Sequence, residues 1–168
     1  MRKLLLLIVI ASSTNAFAQT ITKKGIDKFT MAEIIETSQV SLYSETYGTG
    51  WVYKLELFFR RTDGVFSMPA RILMKDIVKY TEDDGIMFLL DNDETVTLKT
   101  SYTGVGGEAE FKGYVFSTSF LLTDDNVEML KNHKVVAVRI NYMGGHYDKD
   151  LKGKKQELIM RSLKLFDK

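Results

Sequence analysis

Few residues in this chain are suited to chemistry. His133 and His146 are its two histidines, and it has no cysteine. His146 heads the run His146-Tyr147-Asp148-Lys149-Asp150, and His-x-Asp-x-Asp offers a ring nitrogen and two carboxylates to a divalent ion. Turn chemistry explains the same residues more simply, as a solvated loop running into a helix with Asp150 as its N-cap. That reading is preferred, and no metal is assigned. His133 is expected to end a helix, where partial positive charge is favoured.

Other candidate motifs fail on composition. Glu82-Asp83-Asp84 and Asp91-Asn92-Asp93-Glu94 lack the alternating oxygens, sixth-position glycine and distal glutamate of a calcium loop. Both read as turns. Gly104-Val105-Gly106-Gly107 lacks the Lys-Ser/Thr and helix that a phosphate loop needs. Glu108-Ala109-Glu110 follows instead, and carboxylates repel phosphate. No Gly-x-Ser-x-Gly elbow occurs. Paired carboxylates of the glycosidase kind have no motif to mark them. No cofactor is expected. The candidate ligand-binding residues are therefore Tyr102, His146, Tyr147, Asp148 and Asp150, in the glycine-containing loops at 101–107 and 142–150.

Aromatic residues offer a stacking surface. Among eight tyrosines, ten phenylalanines and one tryptophan, Tyr43, Tyr47, Tyr102 and Tyr147 lie nearest loops and are expected to be exposed. Trp51 shares a period-two face with Leu55 and Leu57, which places it in the core.

These residues must be carried by a sheet. The best-patterned stretch, 50–75, reads as one long hairpin. Trp51, Tyr53, Leu55, Leu57 and Phe59 alternate along the first arm, and Thr62-Asp63-Gly64 supplies the turn. Phe66, Met68, Ala70, Ile72 and Met74 share a face on the return arm. Pro69 cannot donate to a ladder, so that arm is expected at an edge or bulged. Residues 19–25 read as loose, 35–43 as strand, and 76–84 as a polar connection. Residues 86–90 and 95–99 form a second hairpin. Residues 108–122 read as one strand, irregular near Gly113.

Thr123 caps a short helix that ends near His133. A strand at 135–141 follows, with Val136, Val138 and Ile140 on one side. The chain closes with a helix over 151–166, whose stripe is Leu151, Leu158, Ile159, Leu163 and Phe166. The expected class is α+β: a curved, mostly antiparallel sheet of about six or seven strands, with a C-terminal helix–strand–helix unit on one face.

The first 18 residues read as a cleaved signal peptide. Arg2 and Lys3 precede an apolar run too short to span a bilayer, and Ala16-Phe17-Ala18 is a small-x-small cleavage site. Residues 19–168 then form a single domain, exported to the periplasm or secreted, with no integral membrane segment after cleavage. The mature chain has 21 basic and 22 acidic residues, net −1, a balance that gives no reason to expect nucleic acid. An exported domain of about 150 residues is large enough to be stable without disulfides.

Asp27-Lys28-Phe29-Thr30, Ile35-Glu36-Thr37-Ser38, Phe88-Leu89-Leu90-Asp91 with Val96-Thr97-Leu98, and 135–140 with 147–150 resemble a group of small exported proteins of Bacteroidetes. The likeness covers most of the mature chain. Its motifs are structural, so it implies export and a single α+β domain and transfers no active residue. The sequence thus favours an exported, non-catalytic binding or interaction domain for a protein or glycan partner. The alternative is a hydrolase acting on glycan or cell-envelope material.

Overall fold

The computed structural model describes residues 19–48, 51–76, 78–100, 104–106, 108–110 and 113–167. The expected signal peptide and Tyr102 lie outside them, as do the side chains of Tyr47 and Trp51. The elements run β1 (Ile21–Ile26), β2 (Glu33–Thr37), β3 (Val40–Tyr47), β4 (Trp51–Leu57), β5 (Arg60–Thr62), β6 (Val65–Met74), β7 (Val78–Tyr80), β8 (Gly85–Leu90), β9 (Thr95–Lys99), β10 (Gly104–Gly106), β11 (Glu108–Glu110), β12 (Gly113–Leu122), α1 (Asp124–Asn132), β13 (Val135–Tyr142), β14 (Gly145–Asp150) and α2 (Leu158–Leu163). Two 3-10 turns, Gly153–Glu157 and Lys164–Asp167, flank α2.

The fold is α+β, with antiparallel strands and a C-terminal helical unit. Its strands are shared among three sheets. The largest has eight strands in the order β1-β2-β5-β6-β12-β11, with β4 bridging β3 and β6. β14-β13-β8-β9 make a four-stranded sheet, and β10 pairs β7.

The expected long hairpin, β4 and β5 against β6, is its spine. Asp63 at φ 47° and Gly64 at φ 86° make the tight turn, since consecutive positive φ values match the twist of hairpin strands. The register runs unbroken from Leu57↔Ala70 to Arg60↔Ser67. Pro69 lies between these pairs, but β6 is central: it pairs β4 and β5 on one side and β12 on the other. The expected edge position is therefore corrected. The missing proline donor shows instead as a gap in the facing strand at Phe58–Phe59. Phe58 N–H still donates to Pro69 O at 3.1 Å, while Phe59 turns to Thr37, donating to its Oγ1 at 3.0 Å and accepting from its N–H at 2.9 Å.

Directly opposed residues share a face. Leu55, Leu57 and Phe59 therefore lie beside Ile72, Ala70 and Met68, with Phe116 and Phe120 of β12 next to them, and all are buried. Ile86, Phe88, Leu90, Val138 and Ile140 of the four-stranded sheet join the same continuous core. Tyr80 of β7 stacks on Phe116 with centroids 3.9 Å apart.

Thr123 caps α1 as expected, its Oγ1 accepting from Asn126 N–H while Asn126 Oδ1 accepts from Thr123 N–H. Val127 and Leu130 of α1 and the predicted stripe Leu151, Leu158, Ile159, Leu163 and Phe166 are all buried in that core. Phe166 meets Phe66 edge-on at 5.0 Å.

Several local expectations are corrected. Residues 21–26, expected loose, form edge strand β1, held by its ladder to β2. The polar connection at 76–84 contains β7, because Tyr80 is buried against Phe116. Residues 104–106 of the expected loop pair with β7. Residues 108–122 contain a hairpin, β11 against β12, in place of one strand. In β13 the buried residue is Val135 and not Val136, because a bulge between Val135 and Ala137 shifts the alternation. The closing helix is α-helical only over Leu158–Leu163.

Candidate functional site: a tyrosine cleft between two sheets

The expected loop at 142–150 is a hairpin. β13 and β14 pair from Tyr142↔Gly145 to Ala137↔Asp150, and Gly144 at φ 85° makes the turn. Asp150 ends a strand and caps no helix. Strand geometry then divides the predicted site residues, because successive side chains point to opposite faces.

His146, Asp148 and Asp150 lie on the exposed face. Arg139, directly opposite on β13, grips Asp148 with Nε and Nη2 at 2.6 Å each. This guanidinium holds the Asp148 carboxyl below the usual aspartate range, against a smaller opposing effect of burial. His146 Nε2 stands 3.8 Å from Asp148 Oδ2. Arg139 thus neutralises the carboxylate nearest His146. Among the described residues no group of three His, Asp or Glu is placed to hold an ion. His133 caps the C-terminus of α1, with Nδ1 3.1 Å from Asp91 Oδ1.

Tyr147 and Lys149 turn the other way, toward the large sheet. Tyr147 stacks on Tyr53 of β4 at 4.9 Å with planes 16° apart. It also meets Tyr43 of β3 at 5.6 Å, and its hydroxyl donates to Glu45 Oε2 at 3.2 Å. Lys149 Nζ pairs with the other oxygen of Glu45. Tyr43, expected to be exposed, is buried by these contacts.

Tyr53 and Tyr147 line a 550 Å³ cleft with Tyr142, Met74, Met143 and Gly144, and Lys75, Asp76 and Lys79 add charge. Its parts come from β4, the end of β6, β7 and the β13–β14 hairpin. The backbone ties them together where Met143 N–H donates to Lys79 O at 2.8 Å. Tyr80, next to Lys79, is kept protonated, because burial first, then Asp84 and Tyr142, raise its phenol well above the usual range. It donates to Met74 Sδ at 3.7 Å.

Aromatic faces with a few polar groups around them suit a ligand that is apolar on its flat side and polar at its rim. Among the described residues lining the cleft, Asp76 is the one carboxylate. Of the described sequence candidates the cleft includes Tyr147 alone. Tyr53, Tyr142, Lys75 and Lys79 went unrecognised, because Tyr53 reads as one more residue of an apolar face, Lys75 as the end of the hairpin and Lys79 as part of a polar connection. Among the described residues no helix is long and apolar enough to cross a membrane. Comparison with protein-family models, curated proteins and solved structures finds no match to this chain.

Proposed function

We propose that this chain is an exported, non-catalytic binding domain that holds a saccharide ring in the tyrosine cleft. The observation that carries the reading is the stacked Tyr53–Tyr147 pair in a 550 Å³ cleft with Lys75, Asp76 and Lys79 around it. A pyranose presents C–H groups to an aromatic face and hydroxyls at its rim, where lysine ammoniums donate and a carboxylate accepts. The basic n-region at Arg2 and Lys3 and the Ala16-Phe17-Ala18 signal support export. The hydrolase reading needs two carboxylates across the bound ring, and Asp76 has no carboxylate partner among the described lining residues.

Calorimetric titration with neutral oligosaccharides of glucose, of N-acetylglucosamine and of the peptidoglycan disaccharide tests this reading. Binding should weaken at least about tenfold in Tyr147→Ala, the loss typical of a truncated aromatic anchor. It should also weaken in exposed Lys75→Ala, which leaves the core untouched. A wild-type protein that binds none of these sugars, or binding unchanged in both variants, overturns the proposal. Release of reducing ends on prolonged incubation would favour the hydrolase.

A further inference from the structure

A second cavity, of 470 Å³, lies between the start of β3 and the C-terminal helical segment. None of its lining residues belongs to the tyrosine cleft. Its polar wall includes Gln19, Lys154, Lys155 and Arg161, and Val40 and Leu158 supply apolar surface. β3 pairs only β4, so its other edge carries no strand among the described residues. Lys155 reaches that edge and donates to Ser41 O.

Two observations mark this cavity as a place for a ligand. The Gln19 amide Nε2 is shut off from solvent and has no hydrogen-bond partner among the described residues. A buried donor left unmade is costly and calls for an acceptor. Charge is the second observation. Glu56 is the one carboxylate on the cavity wall, and it is already engaged by Lys54 at 2.5 Å and Arg71 at 3.3 Å. Arg161 is paired with Glu157 and retains further guanidinium donors. Lys154 makes no ion pair among the described residues. The wall therefore holds three cations and an orphan amide donor beside a carboxylate that is already satisfied. Partial desolvation of Lys155, which lowers its ammonium pKa, adds to the advantage of an incoming anion.

We propose that this cavity binds a small organic carboxylate with an apolar body, its oxygens received by Gln19, Lys154, Lys155 and Arg161 and its body by Val40 and Leu158. Acceptor oxygens answer the orphan amide and the cations together, and an apolar tail of a few carbons answers the remaining wall. Cavities of this size commonly combine an apolar lining with a few convergent polar groups.

Octanoate below its micellar concentration is the probe, with octylamine and inorganic phosphate as controls. Calorimetry and thermal shift on a chain beginning at Ala18, where Gln19 keeps its side-chain amide, should show saturable octanoate binding and a higher melting temperature. Neither control should do the same. Lys154→Glu and Lys155→Met should each weaken octanoate at least about fivefold, and Gln19→Leu should also weaken it. Lys154 and Lys155 are exposed and Gln19 is half-buried, and unchanged ligand-free melting temperatures would certify the fold. Phosphate matching octanoate would reduce the site to a cationic patch and overturn the proposal. So would octylamine matching octanoate, octanoate binding indifferent to all three variants, or no octanoate binding at all.

Discussion

Asp148 is held by Arg139 through two 2.6 Å hydrogen bonds, and that grip decides what the outer face of β14 can do. A carboxylate held in a guanidinium fork keeps spare lone pairs, but its charge is already neutralised, which weakens its pull on a cation. In Arg139→Gln the Asp148 carboxyl should therefore titrate at higher pH, moving toward the ordinary aspartate value, as read by carboxyl ¹³C shifts. An unchanged titration would mean that Arg139 does not control it. The sign for stability follows from the lowered pKa. The pair contributes above the ordinary aspartate range, and the contribution is lost as the pH falls through the depressed folded value. It is small, because both side chains are about half exposed, at 45% and 50%. At this scale the sequence marked a segment that reaches the cleft but grouped its residues wrongly. His146, Tyr147, Asp148 and Asp150 are neighbours in a loop, but in a strand of period two Tyr147 parts from the other three. Whether 145–150 pairs with 137–142 depends on a turn at Met143-Gly144, and the glycines there fit a loop equally well.

At the scale of elements, the hairpin around Asp63-Gly64 was legible because its signal is local: alternating apolar residues on both arms and a turn that needs positive φ. The cap at Thr123 was legible for the same reason. Pro69 misled because a single proline reports a missing donor but not which neighbouring strand loses it. β6 keeps its central place because Phe58 still donates to Pro69 O, while Phe59, facing the other way, pairs with Thr37. Leu57 sits on the buried face of this hairpin at 1% exposure, opposite Ala70. Leu57→Asp places a carboxylate there without a partner. The expected cost is about 4 kcal/mol or more, at the extreme of single substitutions. The variant should lose its cooperative thermal transition by circular dichroism, and a soluble variant with an unchanged melting temperature would refute the placement.

Across the whole molecule, the pairings that matter join distant segments. β8 lies between β9, its sequence neighbour, and β13, which arrives only after β10, β11, β12 and α1. Composition and periodicity carry no record of that return, so the separate four-stranded sheet was not legible. The tyrosine cleft, built where the β13–β14 hairpin meets β4, the end of β6 and β7, was hidden with it. The same topology makes the C-terminal segment indispensable. After Asp150 the chain still has to bury Leu151, Leu158, Ile159, Leu163 and Phe166, which occupy the core shared by both larger sheets. At roughly 1.5–3 kcal/mol for each large apolar side chain, their removal forfeits on the order of 10 kcal/mol, comparable to the whole stability of an ordinary domain. It would also leave Val127 and Leu130 of α1 facing water. A chain stopped after Asp150 should therefore show strand-like far-ultraviolet dichroism at most, with no near-ultraviolet tertiary signal and no cooperative melt. If it melted sharply within a few degrees of the full domain, the helical segment would be an accessory to the fold and not a part of its core.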